Sequence, residues 1–165
     1  MSPLLPNATE IEITSRGTRW MQAWYPPGEA PCGRRNGSGG ICVTDSGGMV
    51  VISNDQVEWD IPGGRPEGDE DWEATLRREV LEEACAVVQG ATLLGFARGR
   101  HVEGPEAGSM LVRSIWLAQV TLNDWRPQFE IKHRKVVPFE QAIAELLPEF
   151  APLWERVFHD ARLRS

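Results

Sequence analysis

Cysteine is scarce in this sequence, and long apolar runs are missing. The three cysteines, Cys32, Cys42 and Cys85, are too few and too scattered for a disulfide framework or a zinc site. No apolar run approaches the roughly 20 residues that a membrane-spanning helix needs. Residues 1–7 have neither a basic start nor a continuous apolar core, so they do not resemble a secretory signal. We therefore expect a reduced, cytoplasmic protein.

Positive charge is also in short supply. The 165 residues include 24 acidic and 17 basic side chains, which gives a formal net charge of −7. Nucleic acids and anionic membranes are bound without specificity by basic surfaces, so this charge balance argues against both kinds of partner. The hydrophobic fraction of 41% is ordinary for a soluble globular protein, and the length fits one compact domain.

The N-terminal part is predicted to be an addition to the main domain. Residues 10–14 and 20–25 form two short strand-like runs, and the first alternates polar and apolar side chains. Residues 26–40 are rich in proline and glycine, which is typical of a loop or linker. We therefore predict N-terminal strands and a linker over residues 1–39, and the main domain over residues 40–165.

The rest of the chain alternates strand and helix patterns. A hairpin is predicted over residues 41–52, a helix over 71–86 and a final amphipathic helix over 150–161. Further elements are expected as strands at 91–97, 110–120 and 136–138 and a helix at 140–147. This irregular alternation favours the α/β (α+β) class, with a mixed sheet flanked by helices.

Three carboxylates are predicted to share one face of the first helix. Glu79, Glu82 and Glu83 stand at positions i, i+3 and i+4, which lie within an arc of roughly 100°. Like charges at this spacing weaken a helix unless a cation compensates them. Mg²⁺ and Mn²⁺ prefer oxygen ligands, so these carboxylates are candidate metal ligands. The alternative is a solvated acidic face, which glutamate-rich helices often have.

The spacing around these glutamates resembles a known family motif. Gly64 is followed by Glu70 and then by Arg78, which directly precedes the first of the three glutamates. This pattern closely resembles the Nudix box, G-x5-E-x7-R-E-U-x-E-E-x-G-U, in which U is a bulky aliphatic residue. A solvated acidic face would leave the spacing of the glycine, the fourth glutamate and the arginine without explanation.

The resemblance extends beyond the box, with one departure inside it. Cys85 stands where the family has glycine, and Ala86 is a small version of the final aliphatic residue. We expect Cys85 to prolong the helix by a residue or two rather than to act as a catalytic thiol. Residues 59–64 resemble the usual lead-in to the box, and residues 137–142 resemble a closing strand and helix start. The resemblance therefore covers about residues 40–147.

The resemblance implies a Nudix fold, an α/β/α sandwich with a mixed β-sheet. It also implies a hydrolase that breaks the phosphoanhydride bond of a nucleoside diphosphate linked to another moiety, with the help of Mg²⁺ or Mn²⁺. The metal ligands implied by the resemblance are Glu79, Glu82, Glu83 and the backbone carbonyl of Gly63. Glu70 and Arg78 resemble the ion pair that ties the loop to the helix.

The general base varies within the family between a box glutamate and a glutamate on a later loop. Glu79 is the first candidate in this chain, and Glu130 has the best position among the later ones, ahead of Glu103 and Glu106. The implied catalytic residues are therefore Glu79, Glu82 and Glu130.

Substrate contacts are expected from aromatic and basic side chains near the box. Tryptophan can stack on a base, although most tryptophans pack in a core. Arginines around the loop at 99–109 could meet a phosphate or a ribose, or simply line a solvated loop edge. The candidates for stacking are Trp59, Trp20 and Trp24. The candidates for phosphate or ribose binding are Arg98, Arg100 and Arg113.

A second function from another class is a non-catalytic Nudix-like module that binds a nucleotide and regulates another protein. That interpretation predicts erosion of the metal glutamates, and all three are present. The expected partner is a small nucleotide derivative, with no nucleic acid and no membrane, and a homodimer is a further expectation. The sequence leaves open whether the substrate is a nucleoside triphosphate, ADP-ribose or a nucleotide sugar.

Overall fold

Eight β-strands join in one mixed sheet in the computed structural model, which describes residues 3–165. The strands are β1 (Ile11–Ser15), β2 (Thr18–Tyr25), β3 (Arg34–Val43), β4 (Gly48–Ser53), β5 (Gly63–Gly64), β6 (Ala86–His101), β7 (Met110–Leu122) and β8 (His133–Pro138). Their order is β1-β2-β6-β7-β3-β4-β8, with the short β5 paired to β3. Only the β3–β7 pair is parallel among the described strands, so the predicted mixed sheet is confirmed.

Two α-helices cover the sheet, α1 (Trp72–Ala84) and α2 (Ala151–Arg164). The predicted start of α1 is confirmed, because the Asp71 carboxylate accepts a hydrogen bond of 2.8 Å from the backbone N–H of Ala74. The helix predicted at 140–147 is instead two 3₁₀ segments, Phe139–Glu145 and Pro148–Phe150. Prolines bound this short segment on both sides, and proline disfavours a continuing α-helix. Within residues 3–165, no helix is long and apolar enough to cross a membrane.

The sheet separates two apolar cores. Cys42 and Val50 face α1, whereas their neighbours Ile41 and Val51 face α2. Successive side chains along a strand point to opposite faces, so each central strand contributes to both cores. This layering of helix, sheet and helix confirms the predicted α/β/α sandwich. All three cysteines are free, as expected.

The prediction of a linker through residue 40 is wrong in its second half, because β3 begins at Arg34. Its glycines allow close approach of other chain segments. A Cβ on Gly37 would overlap the carbonyl of Gly64, and one on Gly39 would lie 2.8 Å from the Ile61 side chain. The predicted boundary between residues 39 and 40 therefore falls inside a strand. β1 and β2 also join the common sheet, through the pairing of β2 with β6.

The end of α1 differs from the expectation that Cys85 prolongs the helix. Cys85 has φ 49° and ψ 49°, the left-handed conformation in which glycine commonly ends a helix. The chain must turn sharply here because both Ala84 and Ala86 are buried on the α1 side of the sheet. Cys85 therefore adopts the backbone conformation of the glycine that it replaces.

Candidate functional site

The three glutamates predicted as metal ligands lie along one side of α1, next to its buried strip. Leu76, Val80 and Ala84 are fully buried against the sheet and fix the rotation of the helix. Glu79, Glu82 and Glu83 are each partly buried at the surface that this rotation leaves free. One helix therefore provides both an anchoring face and a carboxylate face.

The two glycines of β5 lie directly over this carboxylate face. The backbone N–H of Gly63 donates a hydrogen bond of 2.8 Å to Oε1 of Glu83. A Cβ on Gly64 would overlap the carboxylate of Glu79. The first glycine of the box thus leaves room for the Glu79 side chain, and its backbone is not left-handed. Gly63, the predicted carbonyl ligand, is therefore in contact with the carboxylate of Glu83.

Arg78 connects the loop before α1 to the glutamates. Its Nε donates to Oε1 of Glu70 at 2.7 Å, and its Nη1 donates to Oε1 of Glu79 at 2.9 Å and to Oε2 of Glu82 at 3.1 Å. The structure therefore contains the predicted pair of Glu70 with Arg78. Hydrogen bonding to Arg78 lowers the pKa of Glu70 to about 2. Glu67, at 3.5 Å from Nε, is a further partner that the sequence did not reveal.

Two of the three glutamates are poorly hydrated. Burial raises the pKa of Glu83 to about 7, and the hydrogen bond from Gly63 offsets only part of that effect. Burial also raises the pKa of Glu79, although Arg78 acts in the opposite direction. Two acidic groups whose ionised forms lack solvent make a site where a bound cation would be strongly favoured.

The available oxygens fit a hard divalent cation. Among residues 3–165, no three acidic, histidine or cysteine side chains already converge as a metal-binding group, and the cation between Glu79 and Glu82 is Arg78. Each glutamate nevertheless uses only one of its two oxygens in the hydrogen bonds described above. The oxygens without a donor among the described residues are Oε2 of Glu79, Oε1 of Glu82 and Oε2 of Glu83.

Glu130, the later candidate base, lies on an exposed loop between β7 and β8. Its neighbours Gln128 and Phe129 line a shallow groove together with Glu82 and Cys85. The loop thus lies beside the glutamate cluster, and Glu130 has no hydrogen bond or ion pair with another described residue. The other two candidates lie elsewhere, where Glu103 pairs with Arg19 and Glu106 with His101.

A cleft of about 850 Å³ lies on the face of the sheet that carries α2. It is lined by Ser15, Arg16, Thr18, Trp20, Gln22, Arg34, Asn36, Asp60, Arg65, His101, Glu106, Leu111, Arg113, Leu147 and Phe150. A deeper and more apolar part of about 200 Å³ continues to Trp154 and Val157 on α2. Asp60 and Arg113, both in the cleft, influence the pKa of Glu83, so the cleft adjoins the glutamate cluster.

Of the three arginines predicted to bind phosphate or ribose, Arg113 lines the cleft and the other two do not. Ala97 and Gly99 face the cleft, so the alternating neighbours Arg98 and Arg100 point to the other face of the sheet. There Arg98 lies 4.9 Å from the ring centre of Tyr25, and Arg100 pairs with Glu10 at 3.1 Å.

Among the tryptophan candidates, only Trp20 reaches the cleft, where its ring lies 3.8 Å from that of His101. Trp59 is buried, and Lys135 Nζ lies 4.1 Å from its ring centre. Trp24 is fully buried and donates a hydrogen bond of 2.9 Å to Asp160. Both rings therefore belong to the core rather than to a substrate site.

The sequence analysis missed several residues of the cleft. Asn36 falls in the segment that was predicted to be a linker. Phe150 and Trp154 were predicted only to pack against the core, as part of the apolar face of the last helix. Asp60 is the one residue of this set that the sequence could have indicated, because it lies in the segment that resembles the lead-in to the box. Protein surrounds Asp60 on most sides while its side chain stays open to the cleft, and this burial raises its pKa.

Comparisons with known proteins agree with this geometry. The family model described as NUDIX domain matches residues 33–160. A search of the curated proteins finds no match. The pyrophosphohydrolase BsRppH from Bacillus subtilis is similar in structure, with a TM-score of 0.74, 18% identity and coverage of 95% of this chain and 98% of that one.

Two further solved structures share the fold. A NUDIX hydrolase from Nitrosomonas europaea has a TM-score of 0.60 at 17% identity, covering 79% of this chain and 90% of that one. The NUDIX domain of Shewanella oneidensis NrtR, complexed with ADP ribose, has a TM-score of 0.59 at 17% identity, covering 85% and 93%. With the family model spanning most of its length, the chain belongs to the NUDIX family.

Proposed function

We propose that this protein hydrolyses the phosphoanhydride bond of a nucleoside diphosphate linked to another moiety, with Mg²⁺ as its metal and Mn²⁺ as a substitute. The metal ligands are Glu79, Glu82, Glu83 and the carbonyl of Gly63. The observation that carries the proposal is that the β5 glycines contact Glu83 and Glu79 beside a cleft large enough for a nucleotide.

The chain's own residues supply the remaining chemistry. A divalent cation held by these glutamates would neutralise charge on the diphosphate and would lower the pKa of the attacking water. Glu79 is our first candidate for the base, because burial raises its pKa and thereby improves its ability to accept a proton near neutral pH. Glu130 remains the second candidate, since its loop borders the groove at Glu82.

The cleft supplies the groups that bind and orient a nucleotide. Arg113 carries a guanidinium that can hold a phosphate oxygen in a forked hydrogen bond. Trp20 offers an aromatic edge to a base. The structurally similar NUDIX domain of NrtR is described in complex with ADP ribose, which supports a nucleotide derivative as the substrate class.

Replacement of Glu82 tests the metal site. We expect Glu82→Gln to lower Mg²⁺-dependent turnover of a nucleotide panel by orders of magnitude, because the variant removes a charged metal ligand. Glu73→Gln is the matched control, since Glu73 lies on the same helix but pairs with Arg77 outside the cluster. Product analysis by chromatography measures both variants against the wild type.

Two outcomes would contradict the proposal. Wild-type turnover in Glu82→Gln would show that the assigned metal site is wrong. Tight nucleotide binding by the wild type without turnover, in either metal, would favour the non-catalytic regulatory module instead.

A cytoplasmic location and a homodimer stay predictions, and light scattering of the purified protein tests the second.

A further inference from the structure

Most arginines of this chain have a hydrogen-bond, ionic or aromatic partner for the guanidinium group, and a few have none among the described residues. Two of the 17 basic residues are lysines, which leaves 15 arginines. Eleven of these have a hydrogen bond, an ion pair or an aromatic ring beside the guanidinium. Within residues 3–165, the side chains without any such partner are those of Arg34, Arg65, Arg113 and Arg164.

Three of these four arginines line the same cleft, and the fourth is next to the C-terminus. This concentration is unexpected in a chain with a net charge of −7. A concave site focuses the field of its charges, so unpaired guanidinium groups there attract anions more strongly than on an open surface. The planar donors of arginine match the oxygens of phosphate in particular.

The three guanidinium groups form a track that leads away from the glutamates. Arg65 follows the β5 glycines directly, and Arg113 influences the pKa of Glu83. Arg34 lies farther out, because it pairs across the parallel strands with Leu111, two residues before Arg113. Two residues along a strand correspond to roughly 7 Å.

The carboxylates near these arginines do not form ion pairs with them. Glu106 contacts His101 at 3.2 Å, and Arg16, which also lines the cleft, pairs with Glu58. Asp60 accepts a hydrogen bond of 2.7 Å from the backbone N–H of Ile61, and the charge of Arg113 lowers the pKa of Asp60 against the effect of burial, so Asp60 offsets part of the charge of Arg113 from beyond ion-pair distance. No carboxylate within residues 3–165 lies within ion-pair distance of Arg34, Arg65 or Arg113.

We propose that the cleft is built for a substrate with at least one phosphate group beyond the diphosphate bonded to a nucleoside, that is, a nucleoside triphosphate rather than a nucleotide linked to a neutral sugar. The inference rests on the proposed function and narrows its substrate class. A neutral sugar would leave the arginine track without a partner. An additional phosphate would give the arginine track a partner with several negative charges. The aromatic side of the cleft at Trp20 would remain available to the base.

A matched pair of substrates tests this inference. ATP and ADP-ribose share the ADP moiety, and they differ in whether a phosphate or a ribose is attached to it. We expect a higher kcat/KM for ATP in the wild type. Arg34→Gln should lower that value by roughly tenfold or more, the effect of losing one charge-assisted hydrogen bond. The same variant should lower kcat/KM for ADP-ribose by a much smaller factor.

Arg164→Gln is the matched control, because it removes an equally unpartnered arginine outside the cleft. Arg34 is exposed and makes no contact that the fold requires, so circular dichroism of Arg34→Gln should match the wild type. A preference for ADP-ribose, or an equal loss with both substrates, would overturn the inference while leaving the proposed hydrolase in place.

Binding without metal separates the two proposals. In EDTA, inorganic tripolyphosphate should raise the melting temperature of the wild type and of Arg164→Gln, and this shift should be largely lost in the double variant Arg34→Gln/Arg113→Gln. That result would support the arginine track even if the protein hydrolysed no nucleotide. Absence of hydrolysis would refute the proposed function but not the arginine track. Equal shifts in all three proteins, or no shift in any of them, would overturn the track.

Discussion

Cys85 shows how a single residue carries a conformational cost in this protein. It adopts a left-handed conformation at the end of α1, where the family motif has glycine. Side chains other than glycine, asparagine and aspartate tolerate this region poorly, because the Cβ approaches the neighbouring carbonyl. Its thiol lies 3.6 Å from the carbonyl of Arg126 and makes only a weak hydrogen bond. The thiol contact therefore offsets little of the backbone strain.

Restoring the glycine should stabilise the fold. We expect Cys85→Gly to raise the free energy of unfolding by about 1 kcal/mol, because it relieves the left-handed strain. Urea denaturation followed by fluorescence measures the change. Cys85→Ala is the control, since it removes the thiol but keeps the Cβ. If Cys85→Ala stabilised the protein as much as Cys85→Gly, the thiol and not the backbone would be the source of the strain.

At the scale of an element, α1 has two separate tasks. Its buried side chains anchor it mainly to β3 and β6, and the side next to them carries the glutamates. Repulsion between these carboxylates works against the helix, and Arg78 relieves part of it through hydrogen bonds to Glu79 and Glu82. The N-terminal cap formed by Asp71 is a second source of helix stability, separate from these ion pairs.

Removal of this cap should weaken the helix without touching the carboxylates. Asp71→Ala is expected to lower the free energy of unfolding by about 1 kcal/mol, because the N–H of Ala74 loses its acceptor. Asp71→Asn keeps an acceptor oxygen and should remain close to the wild type. Thermal and urea denaturation of the two variants provide the comparison. An equal loss of stability in Asp71→Asn would mean that charge near the helix terminus, and not capping, is decisive.

At the scale of the whole molecule, the proposed metal site would couple pH to metal binding through the carboxylate of Glu83. Its pKa is raised from 4.5 to about 7 by burial. Between these two values the folded chain retains a proton that the unfolded chain has released. Without metal, the contribution of Glu83 to stability is therefore greatest below pH 4.5 and decreases as the pH rises to 7. A divalent cation binds the ionised form, so its affinity increases over the same interval.

Melting curves can separate these effects. In EDTA, the melting temperature of the wild type should fall relative to that of Glu83→Gln as the pH is raised from 5 to 8. Mg²⁺ should raise the melting temperature of the wild type more at pH 8 than at pH 6, and should have little effect on Glu83→Gln. The control Glu73→Gln should follow the wild type throughout. A Mg²⁺ effect independent of pH would exclude Glu83 as a ligand that must lose a proton.

The local parts of the fold and of the candidate site could be predicted because they depend on near neighbours in the chain. The shared face of Glu79, Glu82 and Glu83 depends only on the helical repeat, and the start of α1 depends on its capping residue. The linker prediction failed at residues 34–40 because glycine composition does not distinguish flexibility from close packing. Gly37 and Gly39 are there because other segments approach them closely in space.

The sequence by itself determined the fold class and the family motif, because both depend on spacings within short segments. Only the tertiary structure decided which residues line the cleft. Arg98 and Arg113 looked equivalent along the chain, but strand alternation sends the first to the other face of the sheet and leaves the second beside the glutamates. Asn36 and Asp60 likewise come from separate segments and meet in the cleft. These residues come together because strands that are distant in the sequence pair with a particular register. The register of the strands depends on the whole sheet and not on a short segment.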